Sequence, residues 1–292
     1  MQPSILSYLW NLICNQARRL FLPYLLRRSH KYPKLNGGPN VQRLTDSIVL
    51  KSNQYDLLCT EAAAIRFVAR NTSIPVPEIF DIWQPRGRKY ACMAMSFMEG
   101  ETLARVWKRL TGEQRIAVLG QLSGYIRQLR ALSPPRAGWI GNVGFQRIYD
   151  RLYGTRGPGG PFQSEAEFND SHVSVYTHWG SDNPEIALKL VAIRRAMRDD
   201  HQICFTHGDL FNRNILVSVD GPEPEDVKIT AILDWEQAGW RPEYWEAVKL
   251  AWVNGSSWEY TKMARELVVP GYDEEIRTTF DLSYIVGPGG IV

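Results

Sequence analysis

The residues best able to do chemistry stand in one stretch, Phe205-Thr206-His207-Gly208-Asp209-Leu210-Phe211-Asn212-Arg213-Asn214-Ile215-Leu216-Val217. It sets His, Asp and Asn in an H-x-D-x-x-x-x-N spacing between two apolar, strand-like runs. Twenty residues after Asn214 comes Ile232-Leu233-Asp234-Trp235-Glu236. One carboxylate at the end of a strand pair and another just after the next strand can converge on one spot. Phosphoryl transfer needs that arrangement: the group in flight carries charge that metal ions must neutralise, and hard Mg2+ takes oxygen ligands from one or two side chains plus the phosphates. Asn214 and Asp234 supply such oxygens. Asp209 is a separate carboxylate, suited to orient an acceptor hydroxyl and take its proton. With that role filled, His207 reads as a brace for the loop.

On these residues the chain resembles the aminoglycoside phosphotransferase family, including its many fungal relatives. That family writes His-Gly-Asp where protein kinases write His-Arg-Asp. The fifteen residues from Ile232 to Glu246 resemble the family's metal-binding segment, and the resemblance runs from about residue 36 to about residue 255. It implies an α+β, protein-kinase-like fold of two lobes, with a strand-rich nucleotide-binding lobe over residues 36–98 and a helical catalytic and substrate-binding lobe over residues 99–292. It implies ATP and Mg2+, and a hydroxyl on a small molecule as acceptor. By the same resemblance Asp209 is catalytic, Asn214 and Asp234 hold metal, Lys51 is the strand lysine on the α- and β-phosphates, and Glu61 is its helix partner. The backbone carbonyl of Ser96 and the amide of Met98 would meet adenine. Two features depart from the pattern. No G-x-G-x-x-G precedes Lys51, with Gly37 and Gly38 the only glycines near. Glu236 reads equally as a metal residue or as a helix-start carboxylate.

Other functions fare less well. A protein kinase would carry an Ala-Pro-Glu segment after Asp234, and Trp235-Glu236 replaces Phe-Gly. A catalytically inactive ATP-binding or scaffold protein would have been free to lose one of His207, Asp209, Asn214, Asp234, Lys51 and Glu61, and all are present. A choline-type kinase stays open, because ten tryptophans and thirteen tyrosines could cage a quaternary ammonium. The acceptor region implied by the resemblance, roughly residues 145–179 and 240–281, holds Asp170, Glu243, Glu246, Asp273, Glu274 and Glu275, with Asp182 and Arg147, Arg151 and Arg156 alongside. Such acids suit an amine-bearing substrate, though solvated charge explains them as well. The early end at Gly287-Pro288-Gly289-Gly290-Ile291-Val292 suggests an acceptor pocket left open or completed by another chain.

The elements that must position these residues follow from the pattern along the chain. Ser47 to Lys51 reads as a β-branched strand, and residues 79–83 and 90–95 as two more, joined by a turn at Pro85-Arg86-Gly87-Arg88. Residues 60–71 read as a helix capped by Thr60 with Glu61 in its first turn, followed by an extended Ile74-Pro75-Val76-Pro77 connector. Helices are expected over 103–110, 113–132 and 185–200, with residues 134–170 dominated by loops. Short strands are expected over 203–206, 215–219 and 228–233, with a hairpin loop at 220–226.

Composition bounds the rest. The chain has 292 residues, 44% hydrophobic and 22% charged, which suffices for a sizeable core. Its 34 basic and 31 acidic residues leave a net charge of +3, too balanced for a nucleic-acid surface. Cys14, Cys59, Cys92 and Cys204 lie far apart, as reduced thiols of a cytoplasmic protein would. Residues 1–35 read as an amphipathic helix packed on the body; Arg18, Arg19, Arg27 and Arg28 beside apolar residues keep contact with a membrane surface as the second reading.

Overall fold

The computed structural model describes residues 22–32, 35, 40–85, 87, 89–144, 148–152, 159–180, 183–252 and 258–285. Most of the expected N-terminal helix lies outside the described residues, as do Gly37, Gly38, Arg86, Arg88, Arg147, Arg156, Asp182 and the 287–292 tail. Among the described residues, no helix is long and apolar enough to cross a membrane. The chain divides into two compact units: Met1–Tyr55 with Ile79–Phe97, and Asp56–Glu78 with Met98–Val292.

The smaller unit is built on a four-stranded antiparallel sheet. Its strands are β1 (Val41–Arg43), β2 (Ile48–Asn53), β3 (Ile79–Trp83) and β4 (Ala91–Ser96), in the order β1-β2-β4-β3. Val49 and Leu50 of β2, and Ala91 and Met93 of β4, are its buried positions. Lys51 lies on β2, its Cα paired with Val41 on one side and Met93 on the other. Arg43 ties the residues before the sheet to it, with its guanidinium 4.8 Å from the Tyr32 ring centre and 3.6 Å from that of Phe97.

The larger unit opens with helix α1 (Tyr55–Asn71). The expected cap at Thr60 is corrected here: the helix begins at Tyr55, with Asp56 in its first turn, and Thr60 and Glu61 lie buried within it. The apolar stripe already includes Leu58 and continues through Ala62, Ile65 and Val68, which carries the helix a turn further back. Next come β5 (Glu101–Thr102), α2 (Leu103–Val106) and α3 (Gly112–Arg130). A capping box starts α3, with Gln114 N–H donating to Thr111 Oγ1 and Thr111 N–H to Gln114 Oε1, both at 3.1 Å. Its Gln121 side chain pins the later strand Val227–Ile232, donating to Val227 O at 2.7 Å and accepting from Ile229 N at 3.0 Å.

A second correction concerns residues 134–170. Helix α4 (Glu165–Gly180) starts inside the stretch expected to be loop. Its polar opening hides a helical stripe: Glu165, Phe168, Asn169, His172, Val173 and Tyr176 are all buried, at i, i+3, i+4, i+7, i+8 and i+11. Helix α5 (Pro184–Ala196), capped by the Asn183 side chain, packs beside it, with Leu190 joining Val173, Tyr176 and Leu282 in one apolar cluster. Each fully buried Leu or Val is worth about 1.5–3 kcal/mol.

The remaining strands are β6 (Ile203–Thr206), β7 (Ile215–Val219), β8 (Val227–Ile232) and β9 (Gly239–Pro242). They form a β5-β7-β8 sheet and a separate β6-β9 pair. The chain continues through α6 (Trp245–Ala251), α7 (Trp258–Leu267) and α8 (Asp273–Tyr284). An aromatic group joins α1 to the β6-β9 pair: Phe67 lies 5.2 Å from both Phe205 and Trp240, and Trp139 lies 5.6 Å from Trp240. Trp107, Trp139, Trp235 and Trp245 are fully buried. These four tryptophans are core, so none of them can present a ring face to a quaternary ammonium.

Candidate active site

The catalytic-loop candidate leaves β6 directly into His207. All four residues of β6 are buried, and the antiparallel partner β9 fixes its direction, with Phe205 opposite Trp240 and Thr206 opposite Gly239. The turn that follows needs glycine. Gly208 has φ +78°, and a Cβ there would stand 3.1 Å from Gln237 O. The turn's N–H groups are satisfied by Glu246 of α6: Oε2 accepts from His207 N at 2.7 Å, and both oxygens lie 3.2 Å from Gly208 N. Burial pushes the Glu246 carboxyl up, while His207 and the two N–H donors pull it back.

His207 braces the loop. Its Nδ1 accepts the Asp209 N–H at 3.1 Å, so Nε2 carries the proton and donates to Leu233 O at 3.0 Å. Its ring meets Trp235 edge to face at 4.5 Å, and Leu233 N–H donates to Asn214 O at 2.8 Å. These contacts join the two chemistry-bearing segments. Asp234 then takes a left-handed conformation, φ 66° and ψ 62°. Asp tolerates that region better than most residues, and such strain gathers at functional sites.

The carboxylates converge. Asp209 is 2% exposed. Its Oδ1 and Oδ2 accept from Arg213 Nη2 at 3.0 and 3.3 Å, and Oδ2 accepts from Asn214 Nδ2 at 3.0 Å. Asn214 Nδ2 also donates to Asp209 O at 2.8 Å. Among the described residues, Glu61, Asp234 and Glu236 bring carboxylate oxygens within 4.8 Å of one another. Hard oxygen donors in that number suit Mg2+. Asp234 thus stands with Glu61 and Glu236, whereas Asn214 turns its amide nitrogen to Asp209. Arg151 spans the group, with Nη2 2.5 Å from Glu236 Oε1 and 3.7 Å from Asp234 Oδ2, and Nη1 3.7 Å from Asp209 Oδ2. Burial works against its charge, but Glu236, Asp234 and Asp209 outweigh that and raise its pKa.

Arg151 is delivered by its neighbours. Its N–H donates to Gln237 Oε1 at 2.9 Å. The adjacent Asp150, 1% exposed, is ion-paired with buried Lys249 and accepts from Trp245 Nε1 at 3.0 Å. Lys51 and Ser96 lie in the smaller unit, Ser96 ending β4 opposite Ile48, and Met98 opens the second segment of the larger unit. Several acids considered for an amine-bearing acceptor are engaged internally. Glu246 holds the loop, Glu243 accepts from Tyr272 Oη at 2.9 Å, and Glu275 meets His201 at 3.1 Å. Asp170 pairs with Arg194 at 2.5 Å and Asp273 with Arg265 at 2.9 Å. Sequence reasoning missed the roles of Glu246 and Arg151; neither has a spacing that marks it.

Comparison with known proteins defines the class first. Solved structures similar to this chain share its α+β, protein-kinase-like fold. One is APH(2")-IIia in its GDP and kanamycin complex, at TM-score 0.58 and 12% identity, covering 90% of this chain and 88% of that one. Another is a thermostable mutant of aminoglycoside phosphotransferase APH(4)-Ia with ADP and hygromycin B, at TM-score 0.56 and 15% identity, covering 89% and 87%. A third is APH(3'')-Id from Streptomyces rimosus, at TM-score 0.51 and 18% identity, covering 91% and 97%. No curated protein matches the chain. The model of the phosphotransferase enzyme family, APH, matches residues 39–274, and the chain belongs to that family.

Proposed function

We propose that this chain is an ATP-dependent O-phosphotransferase that transfers the γ-phosphoryl group to a hydroxyl of a small molecule. The observation that carries the reading is convergence: Asp209 from one motif and Asp234 and Glu236 from the other lie within reach of a single guanidinium. Bound Mg2+ would offset the charge on the transferring phosphates. Asp234, with Glu61 and Glu236 beside it, would hold that metal, and Asn214 would complete the set from the Asp209 side. Lys51 would hold the α- and β-phosphates, with Ser96 O and Met98 N meeting the base.

Asp209 would accept a hydrogen bond from the acceptor hydroxyl, align it in line with the γ-phosphorus and take its proton as the new P–O bond forms. His207 and Glu246 keep the loop's shape without touching substrate. The nucleotides and aminoglycosides held by the neighbouring structures support a nucleotide donor and a polar, hydroxyl-bearing acceptor. A melting assay with ATP, with and without Mg2+, tests the reading: nucleotide at 100 times its Kd stabilises by about 2.7 kcal/mol. Asp234→Asn should abolish the Mg2+-dependent part of that gain. An unchanged melting temperature at millimolar Mg-ATP would overturn the proposal.

A further inference from the structure

Arg151 occupies an unusual place. Its guanidinium contacts Glu236 and Asp234 with one nitrogen and approaches Asp209 with the other. Glu236 and Asp209 are nearly sealed from solvent, at 3% and 2% exposure, whereas the Arg151 side chain is 49% exposed. Its inner edge therefore faces the acids while its outer edge faces water. Asp234 and Glu236 are also two of the three acids whose oxygens gather within 4.8 Å. Like charges this close repel, and the fold needs a cation among them. A guanidinium supplies it, with an N–H donated to Glu236 Oε1 and its charge 3.7 Å from Asp234 Oδ2. A divalent ion held by Glu236 and Asp234 would bring a second positive charge against that guanidinium.

The backbone around Arg151 is anchored independently of that side chain. Its N–H is held by Gln237, and Asp150 is fixed by Lys249 and Trp245. The long side chain can therefore swing outward while its base stays in place.

We propose that Arg151 is a built-in counter-cation of the acidic site, which holds Glu236 and Asp234 when no metal is bound and must withdraw from them for a divalent ion to enter. The inference rests on the phosphotransferase reading of the site. Metal affinity is then lowered by the fraction of protein in which Arg151 is docked. The docked state also protects the metal-free fold from repulsion among its own carboxylates.

The test is Mn2+ binding, followed by electron paramagnetic resonance on the full chain, with and without ATP. Without nucleotide, Arg151→Met should bind Mn2+ about tenfold more tightly than wild type or better, and Arg151→Lys should fall between. In EDTA, Arg151→Met should melt below wild type and recover when Mn2+ is added. Asp234→Asn should lose the ion in either background. Equal or weaker Mn2+ binding by Arg151→Met, with Asp234→Asn still abolishing it, would overturn the inference and leave the phosphotransferase reading intact. If neither wild type nor Arg151→Met bound Mn2+ even with ATP, both would fall. Should Arg151→Met not fold, Arg151→Lys decides: a gain in affinity supports the counter-cation and no gain overturns it.

Discussion

Glu246 Oε2 lies 2.7 Å from the backbone nitrogen of His207, and the same carboxylate takes the N–H of Gly208. A buried acid from α6 thus holds the first turn of the loop that presents Asp209. Glu246→Ala strands two buried donors, at about 1–3 kcal/mol each. Glu246→Gln keeps one oxygen where Oε2 stands and should cost less than half as much. Chemical unfolding measures both, and equal losses would contradict this account, because Gln keeps the shape and the Oε2 acceptor that Ala removes. Turnover should fall with stability in the same order.

Gly208 cannot be replaced cheaply. Its φ of +78° puts an added Cβ 3.1 Å from Gln237 O, and the left-handed region alone costs an L-residue about 1–2 kcal/mol. Gly208→Ala should lose at least that in unfolding free energy and lower turnover, because Asp209 follows directly. A variant as stable and as active as wild type would contradict this account of the turn.

His172 should make the protein acid-sensitive. Burial pushes its pKa down to about 3, with Asp150 pulling weakly upward. The unfolded value is about 6.5, so the folded pKa is depressed and the folded state cannot take the proton that the unfolded chain takes. Stability from this group is full above about pH 6.5 and is lost towards pH 3, at up to about 1.4 kcal/mol per pH unit. His172→Phe keeps a ring among Phe168, Tyr176 and Trp245 and should flatten stability against pH between about 6 and 4. An unchanged slope would rule His172 out as the cause.

Most of the strands could be read directly. β3, β6 and β7 fall where β-branched and apolar runs place them, and β2, β4 and β8 within two residues of it. Asp209, Asn214 and Asp234 were visible because the chemistry demands those residue types at that spacing. Glu246 was not: it sits in a helix more than thirty residues downstream and reads as one acid among many, and only the approach of α6 to the loop gives it work. Arg151 was hidden likewise, since its partners come from two other segments. Helix α4 was missed because its buried stripe includes Glu165, Asn169 and His172, polar residues that hide a 3.6-residue period. The start of α1 was misplaced because Thr60 and Glu61 look like a cap and first turn, yet both are interior.

Asp209→Asn tests the central claim most directly. The amide keeps the shape of a side chain that is 2% exposed and removes its charge and basicity. Amino sugars, amino alcohols and polyol natural products, screened with Mg-ATP, supply the acceptor, and the nucleotide Kd and turnover are measured on the same preparations. General-base assistance is typically worth about 10²–10⁴ in rate, so turnover should fall by about that factor while nucleotide affinity changes little. Full transfer activity in Asp209→Asn would contradict the mechanism.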